Sequence, residues 1–393
     1  MLNRIYPDIF RRFFRSSSAS GVLLLFCVLL SLTIANTSPG EGFASALSTK
    51  WGYENNWIHL NYSNITWIND GLMSIFFLLV GLEIKREIVQ GELSSARKAS
   101  LPVLAAIGGV ITPALIYAAF NSSSPATVNG WGIPMATDIA FALGVLSLLG
   151  ERVPAGLKIF LAALAIVDDL IAILVIAICY TSDLHFNYLA CAGAIFLALI
   201  VLNRLNVKNL LFYILPGILM WYCIHHSGIH PTIAGVLTAI TLPKNKDSGE
   251  SPLDKLEHML TRPVNFIVMP VFAIANTNIA FKTGMIDGLA SNMTLGILFG
   301  LFVGKPVGIW LMSWISVKLR IADLPSATSW THVLGLGLLG GIGFTMSIFI
   351  ALLSFQAPDY QTEAKFAILI ASLLSGTTGF LLLKRYNNKE KSI

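Results

Sequence analysis

The chain has 393 residues, 55% of them hydrophobic and only 12% charged, with a formal net charge of +5. A soluble domain carries about 25% charged residues, so the composition excludes an ordinary soluble fold and points to long uncharged runs of the length that crosses a bilayer. The positive balance does not indicate a nucleic-acid partner, because the basic residues lie in short segments between apolar runs and form no single patch.

At the N-terminus, Arg11, Arg12 and Arg15 precede an apolar run from Gly21 to Ala35. Secretory signals and uncleaved first helices share that arrangement, and the string of further spans favours an uncleaved helix with its basic flank in the cytoplasm. Apolar runs predict about twelve transmembrane helices: 20–36, 67–86, 101–120, 131–149, 157–180, 188–203, 209–224, 229–242, 263–281, 294–317, 330–353 and 364–384. The expected architecture is an all-α polytopic membrane protein, a single transmembrane domain over 1–393. Its membrane region is 20–384, and a cytoplasmic tail occupies 385–393. Residues 37–66 form an external segment too long for a tight connection. Within it Trp57, Ile58, His59, Leu60, Asn61 and Tyr62 alternate loosely, as a strand or as an irregular loop. Cys27, Cys179, Cys191 and Cys223 all fall in apolar runs with no metal-like spacing, and read as small buried apolar side chains.

The connections test this segmentation independently. Numbered alternately inside and outside, the inside set collects Arg4, Arg11, Arg12, Arg15, Lys85, Arg86, Arg97, Lys98, Arg152, Lys158, Arg204 and Lys208. It continues with Lys244, Lys246, Lys255, Arg262, Lys318, Arg320, Lys384, Arg385, Lys389 and Lys391, which makes 22 of the 26 basic residues. The outside set holds Lys50, Lys282 and Lys365, and Lys305 lies within a span. A missed or invented span would scramble this alternation, so the positive-inside rule supports both termini in the cytoplasm.

A charge at the bilayer centre costs about 2.5–3.5 kcal/mol even on the most lenient scale. Asp138, Asp168, Asp169 and Lys305 therefore need a reason. Asp168 and Asp169 stand in the middle of the fifth span, and neighbours on a helix point about 100° apart, so the two carboxylates play different roles. Close carboxylates titrate as a coupled set. Such a site takes up either protons or a hard cation, and that competition is the chemistry of exchange; no cluster of soft thiolate ligands is present. Asp138 follows Gly132, Pro134 and Thr137 in a span whose helix is weakened, and broken membrane helices expose carbonyls and dipole ends that hold ions. In the eleventh span Gly335, Gly337, Gly340, Gly341 and Gly343 precede Thr345, and serve either close packing or unwinding. Spans 3–5 and 10–12 pair as triplets of opposite orientation, each with its interrupted segment in the middle. Lys305 calls for a carboxylate partner.

Weaker signals are Asp70 near the outer end of span 2, Glu83, Arg86 and Glu87 near its inner end, Glu257 and His258 in the connection before span 9, and His225, His226 and His230 near the outside. Any of the histidines can titrate near neutral pH.

Five stretches carry a family resemblance. They are Trp67 to Glu87, Met135-Ala-Thr-Asp138-Ile-Ala-Phe-Ala, Ala165-Ile-Val-Asp168-Asp169, Gly304-Lys305-Pro306, and Gly341-Ile-Gly-Phe-Thr345-Met-Ser347. Through them the chain resembles the bacterial NhaA-type Na+/H+ antiporters over almost its entire length. The resemblance implies an NhaA-like fold with inverted repeats (spans 3–5 and 10–12) and two discontinuous crossing helices (spans 4 and 11). It implies that Asp138 and Lys305 offset facing helix dipole ends, with Asp168 the partner of Lys305. Asp168 and Asp169, with Asp138 and Thr137, would form the cation and proton site, and Gly341, Gly343 and Thr345 the break in span 11. Glu83, Arg86, Glu87, Glu257 and His258 would belong to a pH-regulating region, and the segment after span 1 to a dimer-making β-hairpin. Thr261 stands where the best-known relatives have histidine, which bears on the pH response alone.

The expected activity is export of Na+ or Li+ against inward H+ by alternating access in a bacterial inner membrane, with no resident cofactor and with Na+, Li+, H+, the lipid bilayer and a second copy as partners. This describes a transporter and not an enzyme, and no Walker-type loop is visible. An intramembrane aspartyl protease needs its two aspartates on facing helices, whereas the pair here is consecutive. A cation channel or Na+-coupled symporter differs in lacking obligatory counter-movement of protons.

Overall fold

A computed structural model describes residues 17–55, 59–150, 153–181, 184–244, 251–281 and 287–390. Of the residues singled out above, Arg4, Arg11, Arg12, Arg15, Trp57, Ile58, Arg152, Lys246, Lys282 and Lys391 lie outside them. In chain order the elements are α1 (Ser17–Ala35), α2 (Gly40–Ser48), β1 (Lys50–Glu54) and β2 (His59–Ser63). Then come α3 (Asn64–Gln90), α4 (Ala96–Asn121), a 3₁₀ segment (Val128–Met135) and α5 (Ile139–Leu148). They are followed by α6 (Ala155–Cys179), α7 (Phe186–Arg204), α8 (Leu211–His225), α9 (Thr232–Thr241) and α10 (Pro252–Asn276). The chain ends with α11 (Asn292–Lys318), α12 (Trp330–Gly340), α13 (Phe344–Ser354) and α14 (Pro358–Glu390).

Among the described residues eight helices are long and apolar enough to cross a membrane, or ten when each of two bent pairs counts as one span. The apolar helices α8 and α9 are shorter. Lipid as solvent explains the side chains that remain outside: Ile178 is 76% exposed and Phe186 73%, positions no aqueous surface would favour.

The start of the ninth span departs furthest from its expected position. The ninth span begins at Pro252 rather than at 263, so Glu257 and His258 sit on α10 and not in a connection. A capping box starts that helix: the Ser251 side chain accepts from Asp254 N–H, the Asp254 side chain accepts from Ser251 N–H, and Pro252 stands in the first turn. A search for apolar runs passes over a start written in polar residues. The cysteines also differ from expectation. Cys27 and Cys223 are buried, whereas Cys179 and Cys191 are exposed, as apolar helices facing lipid permit.

Residues 37–66 contain α2 and an antiparallel hairpin in which Lys50 pairs with Ser63 and Glu54 with His59. Gly52 has φ +142°, and a Cβ there would fall 1.8 Å from the Leu60 carbonyl oxygen, so only glycine fits the pairing.

The chain divides into two compact units. One takes in Met1–Leu29, Ala96–Asp169 and Phe281–Ile393, the other Leu30–Ser95 and Leu170–Ala280. In the first, α4 and α11 touch backbone to backbone: a Cβ at Gly308 would lie 2.1 Å from the Gly108 carbonyl oxygen. Close approach of this kind is how helices without a hydrophobic drive between them gain packing energy. In the second, α9 lies against α3, with Gly235 over the Ser74 carbonyl. Three helices carry a π-helical turn, at Trp67–Leu72, Val264–Val268 and Gly300–Gly304. The last directly precedes Lys305-Pro306, where proline removes an N–H from the ladder and the turn absorbs the mismatch.

Candidate functional site

The site is built in the first unit from two interrupted helices. After Met135 the chain leaves helical geometry, with Ala136 at ψ 151° and Asp138 at ψ 98°, before α5 begins. Between α12 and α13 the chain breaks over residues 341–343, with a bend of 47°. The two breaks bond to each other, since Asp138 N–H donates to the Ile342 carbonyl at 2.7 Å. Both roles weighed for the glycines are thus relevant, but they are physically separate. Gly341 and Gly343 keep ordinary negative φ values. A Cβ at Gly341 would meet the Leu301 carbonyl oxygen at 2.4 Å, so its small size serves close approach.

Each break exposes helix ends with unpaired backbone groups and partial charge. Asp138 is buried and serves two N-termini together. Its Oδ1 accepts from Phe141 N–H at 3.0 Å, in the first turn of α5. Its Oδ2 accepts from Thr345 N–H at 3.1 Å and from the Thr345 hydroxyl at 2.5 Å, in the first turn of α13. A carboxylate there meets the positive ends of two dipoles. Lys305, fully buried on α11, does the opposite: its ammonium donates to the Met135 carbonyl, which ends the 3₁₀ segment. The Thr137 hydroxyl lies 2.9 Å from the Gly340 carbonyl at the end of α12.

The ammonium also lies 2.7 Å from Asp168 Oδ2, and both side chains are fully buried. Thr137 Oγ1 stands 2.7 Å from the same oxygen. The other oxygen, Asp168 Oδ1, has no hydrogen-bond partner among the described residues. A buried carboxylate oxygen with spare acceptor capacity is a place where a proton or a hard cation gains most. Asp169 is buried next to it on α6, near enough to act electrostatically on Lys305. Asp138, Thr137, Asp168, Asp169, Lys305 and Thr345 therefore converge from the two broken helices, from α6 and from α11.

The second unit gathers a different set. Arg86 on α3 donates to Glu257 on α10 and lies 3.0 Å from Glu87 Oε1. Glu83 lies within electrostatic reach of Glu257, Arg86 and Glu87. His258 is exposed and acts on Glu257 only through charge. Thr261 Oγ1 donates to the Glu257 carbonyl at 2.7 Å. Asp70, on the π-turn of α3, stands between His225 Nδ1 at 3.7 Å and His230 Nε2 at 3.5 Å.

Sequence reasoning missed some supports. Phe344 N–H donates to Ser372 Oγ at 3.2 Å, and Ser347 Oγ donates to the Ile133 carbonyl at 2.7 Å, so α14 and the 3₁₀ segment both hold the start of α13. The signal was available in part: Ser372 and Ser375, three residues apart, share one face of an otherwise apolar helix. Lys85 was read only as a basic flank. Its ammonium in fact caps α9 by donating to the Ile240 and Leu242 carbonyls, both at 2.5 Å.

Comparison with known proteins places the chain in a family. The family described as "Na+/H+ antiporter 1" matches residues 11–383. The chain is 68% identical to the Na(+)/H(+) antiporter NhaA 2 of Flavobacterium johnsoniae, covering 100% of this chain and 96% of that one. It is 50% identical to the Na(+)/H(+) antiporter NhaA 1 of Clostridium beijerinckii over 100% of both chains. The Na(+)/H(+) antiporter NhaA of Caulobacter vibrioides is 47% identical, covering 98% of this chain and 92% of that one. With a family match across nearly the whole chain and identities of this size, the chain belongs to the Na+/H+ antiporter 1 family.

Proposed function

We propose that the protein exchanges cytoplasmic Na+ or Li+ for external H+ across a bacterial inner membrane by alternating access, with no cofactor beyond the transported ions. The observation that carries this reading is a buried Asp168 held by Lys305 and Thr137, one oxygen still free to accept, with Asp169 adjacent. Two carboxylates and one ammonium cannot all keep their charges in a dry site without a further cation or proton. Entry of Na+ supplies the charge that protons otherwise supply, so the two ligands exclude each other. Lys305 holds Asp168 while the cation is away, and protonation of the carboxylate loosens that pair. Asp138 and Lys305 keep the broken helix ends neutral, which lets the backbone at the breaks stay open without a bound ion.

The cycle is electrogenic if more protons than cations cross, and the proton gradient drives it. The Glu83, Arg86, Glu87, Glu257 and His258 group sets its pH response, both termini face the cytoplasm, and the β-hairpin joins two copies.

The test is the pH change that Na+ induces in everted membrane vesicles, wild type against Asp169→Asn. Alkalinisation of the acidified lumen on adding Na+, absent in the variant, is the expected result. No response of the wild type to Na+ or Li+ between about pH 6.5 and 9, the range in which carboxylate-bound protons compete with cations, would overturn the exchange reading. Activity retained in Asp169→Asn would keep the exchange and move the site away from Asp169. Na+ movement without opposite H+ movement would identify a channel or a symporter.

A further inference from the structure

Cys191 is the sixth residue of α7 and Cys223 the third from the end of α8. The two helices run between short connections, and His185 N–H donates to the Ser227 carbonyl at 2.9 Å, so the start of α7 and the end of α8 meet. Both cysteines therefore lie at the same end of the helix pair. Their Sγ atoms are 3.4 Å apart, in van der Waals contact with no other atom between them. A disulfide needs the sulfurs at about 2.05 Å, so the two must approach further from their present contact.

The surroundings of the two thiols differ in a useful way. Cys223 is buried, packed in a cluster with Ala192, Met220 and Ile224. Cys191 is exposed on α7, a helix whose membrane-crossing window is only 11% buried. A reagent dissolved in the hydrocarbon thus reaches Cys191 first, with Cys223 waiting behind it. The ordinary alternative is that both are small apolar fillers with no chemistry of their own. Filling does not require two sulfurs in contact across neighbouring helices, and it predicts no cross-link.

We propose that Cys191 and Cys223 are a reversible oxidation site, at which a lipid-permeant two-electron oxidant joins α7 to α8 through a disulfide. With an azo compound such as diamide, the Cys191 sulfur adds to one nitrogen of the N=N bond. The Cys223 sulfur then attacks the Cys191 sulfur and expels the hydrazine. Two S–H bonds break, one S–S bond and two N–H bonds form, the thiols are oxidised and the azo group is reduced. Cys27 and Cys179, for which no sulfur contact is found among the described residues, remain thiols.

The experiment uses the full-length protein in liposomes, treated with diamide, then denatured and alkylated with N-ethylmaleimide. Two of the four thiols should be lost to alkylation, and a Cys191–Cys223 cross-linked peptide should appear. A reducing agent should restore all four. Cys179→Ser should cross-link as the wild type does, and Cys191→Ser should keep its three remaining thiols free. Four alkylated thiols after a treatment that oxidises a reference dithiol would overturn the proposal, and so would a disulfide involving Cys27 or Cys179. Peptide mapping of the unmutated chain gives the answer even where a cysteine variant fails to fold.

Discussion

Two clusters of paired charges, one in each unit, use the same chemistry and obey different physics. Around Asp168 and Lys305 both side chains are fully buried, relieved among the described residues by Thr137, a backbone carbonyl and the nearby charge of Asp169. Around Arg86 that side chain is 38% exposed, while the carboxylates it faces, Glu87 and Glu257, are 16% and 8% exposed. Removing one member of the first pair leaves a bare charge in low dielectric, whereas water reaches the second and screens it. The contrast teaches that a fully buried pair constrains occupancy, since it tolerates few combinations of charge, while a network open to water at its arginine adjusts gradually as pH or salt changes.

Lys305→Ala should break that contrast most severely. It strands Asp168 and the Met135 carbonyl without the ammonium, and loss of one partner from a buried pair costs about 3–5 kcal/mol. Thermal unfolding in detergent should show a large fall in midpoint, with much of it recovered in Lys305→Met combined with Asp168→Asn, which removes both charges. A single Lys305→Ala variant that melts with the wild type would show that the pair is neither dry nor closely held. Gly308→Ala ranks next. Its new Cβ would press on the Gly108 carbonyl oxygen, and overpacking of this sort costs about 1–3 kcal/mol. The same melt should place it between the wild type and Lys305→Ala, and an unchanged midpoint would mean that α4 and α11 separate easily. The smallest effect on stability belongs to Arg86→Gln, because the arginine reaches water and glutamine keeps a donor for Glu257. Its signature should instead be a shifted pH profile of Na+-induced exchange in vesicles. A shifted melt with an unshifted profile would reverse the roles assigned to the two clusters.

Much of this was legible in the residues. Long apolar runs separate the helices because a membrane admits few other structures. The intramembrane charges stand out because each needs compensation. Boundaries written in polar residues were less visible: the Ser251 capping box started α10 eleven residues before the apolar run did. Asp70, His225 and His230 stand apart in the sequence, and their meeting depends on how α3 packs against α8 and the connection to α9.

Composition and order along the chain determined by themselves that this is a polytopic helical membrane protein, which residues carry charge into the bilayer, and where two helices are weak. Those features follow from local physics, namely hydropathy over about 20 residues and the cost of a buried charge. Only the tertiary structure decided that Asp138 faces two helix N-termini, that Lys305 bridges Asp168 and Met135, and that Cys191 touches Cys223. Apart from the cap that Asp138 makes on its own helix, each of those contacts joins residues far apart in the chain, and the rotation of one helix against another is set by side-chain packing that no local pattern contains.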